Sequence, residues 1–334
     1  MNKIALTAVI VASALFLFGA GLGIFFLWMN AHEFKPESVE SVAITRNSSI
    51  APAFDHPIEL YSWNIGYASL DASQDFFMEG GKNVRPSSGS NVEANIWAIQ
   101  AFLSQNAPDI VFLQEVDRDS KRSYEVDQIG YFSETWKGSS AYTANFRSFI
   151  PVPLFRAVGR VESGMLTLNS YGAVSAERIA LPYSPEWPER LVMPKQCLLV
   201  ERVPVQNREL VLVNVHLDYF DEDIKAAQTK LLAGFCKNEA EKGNYVVAGG
   251  DFNQPLDKVS GQFGEAWLTA PNSIPTKRRL DRPFTGARDD SAFSVIDGFI
   301  VSPTVRLIAV ETINLDFQNS DHNPVKLTFS LIGP

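Results

Sequence analysis

Apolar residues recur along the chain in two registers. Short runs enriched in β-branched side chains occur at 58–65 (IELYSWNI), 109–116 (DIVFLQEV), 164–171 (GMLTLNSY), 196–203 (QCLLVERV), 209–217 (ELVLVNVHL), 245–251 (YVVAGGD), 293–301 (FSVIDGFIV) and 325–331 (VKLTFSL). Runs of this length and make-up predict strands. Two other segments carry a helical period. Residues 91–105 place Val92, Ile96, Ile99 and Leu103 on one face, with Pro108 beyond the end; residues 223–240 place Ile224, Ala227, Leu231 and Phe235 on another. Strands and helices mix without strict alternation. The pattern therefore predicts a mixed α/β fold, two packed mixed sheets flanked by helices, rather than a doubly wound parallel sheet.

The N-terminus follows neither register. After Lys3, residues 4–31 form 28 consecutive uncharged positions with no polar face. That exceeds the ~20 residues needed to cross a bilayer, and it disfavours a buried core helix. Lys3 precedes the run, whereas Glu33, Glu37 and Glu40 follow it. The charge bias keeps the N-terminus in the cytoplasm and exports the rest. A cleaved signal peptide is the alternative. Its apolar stretch is typically ~7–15 residues before a small-x-small site, and the end of this run, LWMNAHEF, offers a poor one. The expectation is an uncleaved, single-pass anchor in the cell membrane over 1–31. A polar, two-proline linker or stalk follows over 32–56, then one extracytoplasmic domain over 57–334.

Composition narrows the chemistry. Cys197 and Cys236 are too few for a disulfide framework, can form at most one bridge, and lack the CxxC spacing of a zinc site. A net charge of −9 argues against a grip on polyanions over the whole surface, while a local basic cleft remains open. The strand ends carry what is unusual. Asn64 ends the first run and Glu115 the second. His216 ends the fifth, Asp251 and Asn253 follow the sixth, Asp297 lies within the seventh, and Asp321–His322 precede the eighth. Each has an ordinary reading taken singly: a solvated edge, an Asx turn, a core histidine. As a set of oxygen and imidazole donors without thiolates, they suit Mg²⁺ or Mn²⁺ and a phosphate.

In their order, SWNIG, DIVFLQEVD, VNVHLD, GGDFN, SVIDGF and SDHNPV resemble the endonuclease/exonuclease/phosphatase superfamily, the deoxyribonuclease I-like fold. GMLTLNSY is similar to that family's central strand, and together the pieces span residues 58–331. The resemblance implies a four-layered sandwich with the site at one edge, and metal-dependent cleavage of a phosphoester. Carried over, Glu115 is the principal metal ligand, Asn64 stands beside it, and Asp321 completes the metal side. Asp251 orients or deprotonates the attacking water, and Asn253 holds the phosphate or the nucleophile. His216 and His322 contact phosphoryl oxygens, and Asp297 fixes a histidine's tautomer. The roles fit the reaction's needs: a phosphodiester is shielded by its charge, so cation and imidazolium must neutralise the transition state while a positioned base acts on water.

The substrate is less constrained. Residues 65–90 form a long connection, suited either to a solvated loop or to folding over the site. Residues 142–155 are aromatic and proline-punctuated, suiting a substrate-side loop, a bilayer contact or a core-packed strand. Lys277, Arg278, Arg279, Arg282 and Arg288 concentrate basic charge in a negative chain, for phosphate, anionic lipid or solvent. A lipid head group, a small phosphodiester and nucleic acid all remain substrates to consider. The competing classes are an extracellular nuclease and an inactive binding member of the fold, which would need neither both histidines nor all the carboxylates.

Overall fold

The computed structural model describes residues 3–46, 48–153, 156–264, 267, 274–286 and 293–333. One sheet has the order β1 (Val39–Ser41), β7 (Ser175–Ala180), β8 (Cys197–Val205), β9 (Arg208–His216), β10 (Tyr245–Asp251), β13 (Asp297–Val301). The other runs β14 (Val305–Thr312), β15 (Val325–Leu331), β3 (Ile58–Asn64), β4 (Ile110–Asp117), β6 (Gly159–Asn169), β5 (Ser139–Ile150), β2 (Ile44–Thr45). Both are mixed, because β9–β10 and β3–β4 pair parallel within otherwise antiparallel sheets. A two-stranded ribbon, β11 (Lys277–Arg278) with β12 (Phe293–Ser294), stands apart.

Alternation of side chains along the strands builds the layers. Leu60, Ile110 and Phe112 of one sheet meet Leu210, Leu212, Val247 and Phe299 of the other. The intervening residues face outward. Val211, Val213 and Val246 pack under α4 (Glu222–Glu241) and α5 (Leu256–Ser260). Val111, Leu113 and Leu166 pack under α2 (Gly89–Asn106) and α3 (Gln128–Thr135). Each such side chain contributes about 1.5–3 kcal/mol by leaving water. The expected four layers are present.

Three expectations are corrected. The expected stalk is partly structured: β1 pairs with β7 and β2 with β5, so residues 39–45 tie an edge of each sheet. The buried face of α4 is Lys225, Gln228, Thr229, Leu232, Cys236 and Glu239, displaced from the expected Ile224–Ala227–Leu231–Phe235. Its polar members are buried because each is satisfied; Lys225 donates to Asn253 O at 2.9 Å, and Gln228 donates to Pro182 O at 2.9 Å. The run at 293–301 is broken into β12 and β13. Cys197 and Cys236 are free thiols, each buried beneath a different cluster.

The N-terminal helix α1 (Lys3–Ala31) is long and apolar enough to cross a membrane. Its last turns pack directly on the domain. Phe25 and Trp28 meet Phe149 with ring centroids 6.3 and 6.0 Å apart. Glu33, just beyond the helix, is bound by Lys195 at 2.7 Å.

One buried carboxyl makes a measurable mark. Glu201 of β8 lies between the sheets with an Asn169 amide at 3.1 Å and, among the described residues, no basic partner, and burial pushes its pKa up to about 7. A carboxyl raised from about 4.5 to about 7 leaves stability intact below the lower value and removes it as pH rises through the upper one, by about 3 kcal/mol. Glu201→Gln is therefore expected to raise the melting temperature at roughly pH 8 and to change it little at roughly pH 5. An equal effect at both would remove Glu201 as the cause.

Candidate active site

The strand pairing itself assembles the centre. His216 is the register partner of Asp251 across the parallel β9–β10 pair, and Asp251 is the partner of Asp297 across the antiparallel β10–β13 pair. Three functional groups thus stand in one row at the sheet's edge. Gly250 makes the approach possible: at φ +147° a Cβ there would lie 1.9 Å from Val215 O. The other sheet supplies Asn64 at the end of β3 and Glu115 from β4.

Glu115 owes its direction to a bulge. Leu113 pairs with Leu166 and Val116 with Gly164, so Gln114 and Glu115 together face the single residue Met165. Glu115 sits at φ +53°, a conformation that costs a non-glycine residue energy and recurs at functional sites. Leu113 and Val116 then both enter the helix-side core, while Glu115 turns to the cavity.

Asn64 bridges the halves. Its Nδ2 donates to Glu115 Oε1 at 3.1 Å and to Asp251 Oδ2 at 3.0 Å, while its Oδ1 accepts from Gly66 N at 3.0 Å. Gly66, at φ +50°, must lack a side chain because a Cβ would come within 2.8 Å of Asp321 Oδ1. Asp251 Oδ1 accepts from Asn253 N at 2.8 Å. The Nε2 atoms of His216 and His322 lie 3.8 and 3.7 Å from Asp251 Oδ2, one carboxylate oxygen between two imidazoles.

His322 is the most constrained member. Its Nδ1 is 2.9 Å from Asp297 Oδ2, its backbone O accepts Trp63 Nε1 at 2.9 Å, and its N donates to Ser320 Oγ at 3.2 Å. Burial alone would lower its pKa. Asp297, Asp321 and Asp251 outweigh this and hold the imidazolium proton well above the ordinary range. Burial pushes the Asp297 carboxyl up, against the pull of His322. Asp321 is also buried, which would raise it, but Lys277, His322 and Arg278 keep it below the usual carboxylate range.

All eight expected residues converge on this edge. Two are engaged differently from expectation. Asp321 Oδ2 is taken by Lys277 Nζ at 3.0 Å, and Asn253 Nδ2 donates to Leu217 O at 2.9 Å, closing the turn after β10. Sequence reasoning left Lys277 among the basic run and did not find Glu79. Glu79 holds the other side of Lys277 at 3.1 Å and brings the 65–90 segment over the site. Arg278 is buried and donates to the carbonyls of Leu70, Asp71 and Gln74. Arg279 pairs with Asp281 at 3.3 Å, and Arg288 lies outside the described residues. The basic run chiefly staples that segment down.

The donor set fits a hard cation. Glu115 makes no salt bridge among the described residues, faces the cavity, and has Asp251 one amide away. Asp251, Asp297 and His322 also converge within 4.8 Å, but the Asp297–His322 hydrogen bond already closes that group. Glu115 is the carboxylate left open.

A sandwich with carboxylates, amides and imidazoles at one edge defines a class of phosphoester enzyme folds. The sequence matches the Endonuclease/Exonuclease/phosphatase family model over residues 61–322, and the chain belongs to that family, whose members are metal-dependent phosphoesterases and nucleases. No curated protein matches significantly. Among solved structures, an endonuclease/exonuclease/phosphatase from Beutenbergia cavernae is similar at 18% identity and TM-score 0.62, covering 83% of this chain and 72% of that one. A family protein from Leptotrichia buccalis has 10% identity and TM-score 0.57, covering 82% and 100%. D. rerio TDP2 complexed with a single-strand DNA product has 15% identity and TM-score 0.55, covering 83% and 100%.

Proposed function

We propose that the protein is a membrane-anchored, extracytoplasmic, Mg²⁺-dependent phosphodiester hydrolase, with Mn²⁺ an acceptable substitute. The carrying observation is the register row His216–Asp251–Asp297, joined to His322 through Asp297 and to Glu115 through Asn64, with Glu115, His216, Asp251 and His322 lining one cavity. Glu115 is assigned to the metal with Asn64 orienting it. When bound, the ion neutralises phosphoryl charge as a Lewis acid.

The chain's own residues supply the rest. Asp251, fixed by donors on both oxygens, accepts the proton of the attacking water. His216 and His322 flank it and donate from Nε2 to phosphoryl oxygens, where charge builds in the transition state. Asp297 holds the His322 ring through Nδ1 so that Nε2 faces the substrate. Asp321 is assigned to Lys277 and to the charge of His322 as much as to the metal side. Asn253 orients Asp251 through its backbone N–H.

Chelation is expected to abolish hydrolysis of an aryl phosphodiester, and Mg²⁺ to restore it. Glu115→Gln is expected to lose about a hundredfold or more without unfolding. Intact cells should cleave a membrane-impermeant aryl phosphodiester as lysed cells do. Full activity after chelation would remove the metal assignment, and activity confined to lysed cells would reverse the orientation.

A further inference from the structure

The cavity that holds the site has two unlike walls. One carries Glu115, His216, Asp251 and His322; the other carries Phe76, Met78, Phe146, Ile150, Val192 and Met193. Its volume is about 190 Å³. Met78, Tyr219 and Phe220 also line it, yet are 54, 48 and 51% exposed, so the apolar surface continues out to the rim. Water, metal and phosphate have no use for such a wall. An apolar part of the substrate does.

The cations point the same way. Among the described residues, the Lys and Arg side chains lining the cavity are Lys277 and Arg122. Lys277 is bound by Glu79 and Asp321, and Arg122 by Asp117 at 2.8 Å. Polymers of phosphate are held by uncommitted lysines and arginines. At this cavity both are spent on internal carboxylates.

α1 docks on the two segments that supply much of the apolar wall. β5 ends in the cavity at Ile150, and its neighbour Phe149 packs on Phe25 and Trp28 of the helix. The following segment repeats the arrangement. Trp187 meets Phe26 at 5.5 Å, Arg190 reaches Asn30 at 3.3 Å, and Lys195 donates to Phe34 O at 2.6 Å, while Val192, Met193 and Pro194 line the cavity. Two segments thus show one side to the end of the helix and the other to the site. No free spacer lies between them, since the Glu33 side chain is only 4% exposed. A helix of 29 residues is about 43 Å long, so in a bilayer its last turns lie among the head groups, and the wall lies there with them.

The geometry points to a lipid of the same bilayer as the substrate: a phosphodiester whose phosphate lies between His216 and His322 and whose acyl chain lies along Phe146, Ile150, Val192 and Met193. This rests on the hydrolase reading and on α1 as an anchor. The reaction needs no further reactant: water supplies hydroxide to phosphorus, one ester P–O bond breaks, and the departing alkoxide takes the proton.

The test uses the full chain in vesicles of phosphatidylcholine and phosphatidylglycerol. Turnover of these lipids is compared with that of their deacylated glycerophosphodiesters, an aryl phosphodiester and single-stranded DNA. The lipids are expected to be preferred over their deacylated forms by roughly tenfold or more in kcat/KM, since each buried methylene is worth about fourfold. Ile150→Asp and Met193→Asp should collapse that ratio, and Met193→Leu should keep it. Equal rates on lipid and deacylated ester, or a preference for DNA, would overturn the inference and leave the hydrolase reading standing. No turnover of any ester would sink the hydrolase reading. The substrate inference would fall with it; independently of turnover, a lipid with a photoreactive acyl chain is expected to cross-link residues 146–150 or 192–194, and labelling elsewhere only would overturn the acyl site.

Discussion

Replacing His322 with alanine is expected to lower kcat on an aryl phosphodiester by roughly two orders of magnitude or more, the usual loss on removing a preorganised transition-state donor. The Mg²⁺ concentration giving half-maximal activity should scarcely move, because a hard cation prefers oxygen to imidazole. Three carboxylates hold the His322 proton in place, and two backbone hydrogen bonds fix the residue beneath Trp63. Removing the ring also strips Asp251, Asp297 and Asp321 of a shared cation, so His322→Gln, which keeps bulk and a donor, separates lost chemistry from lost fold. Asp297→Asn should act as a milder version, about tenfold, because it disturbs ring orientation without deleting the ring. Mg²⁺ titrations of turnover for all three decide the matter. Recovery of the histidine variants at high Mg²⁺ would make the imidazole a metal ligand or a prop.

What could be read from sequence follows from how local each signal is. A strand buried on both faces announces itself by β-branched residues, and a polar group at its end is conspicuous against them; Asn64, His216 and Asp251 were legible for that reason. Lys277 was not. Its chemistry comes from Glu79 and Asp321, each distant in sequence, and a run of basic neighbours by itself suits phosphate, anionic lipid or solvent equally. The bulge at Glu115 has no glycine to mark it. The edge strands at 39–45 are only three and two residues long, too short for a period, and their neighbourhood buries Val42 and Ile44 only in part. The face of α4 was misplaced because burial there is decided by hydrogen bonds of Lys225 and Gln228, which a hydrophobic period cannot register.

The largest effect on stability is expected at Arg122. Its Nε and terminal nitrogen donate to both oxygens of Asp117 at 2.9 and 2.8 Å, Ser123 Oγ donates to the same carboxylate at 2.9 Å, and the guanidinium lies 3.7 Å from the Tyr67 ring centroid. Gln128 ties the group to both flanks, donating to Tyr67 O at 2.7 Å and accepting from Asp117 N at 3.1 Å. Asp117 is fully buried and stands two residues after Glu115, so this clamp fixes the strand just past the bulge. Arg122→Met leaves that carboxylate in the interior without its cation, and should cost about 3–5 kcal/mol in denaturant unfolding of the detergent-solubilised chain. Adding Asp117→Asn should recover much of the loss, because the charge that needed Arg122 is gone. Mg²⁺ affinity should weaken in the single variant, as Glu115 loses the anchor beyond it, and return toward normal in the double. A single variant within about 1 kcal/mol of the parent would mean that Asp117 finds water or a proton instead, and the clamp would then have no part in aiming Glu115.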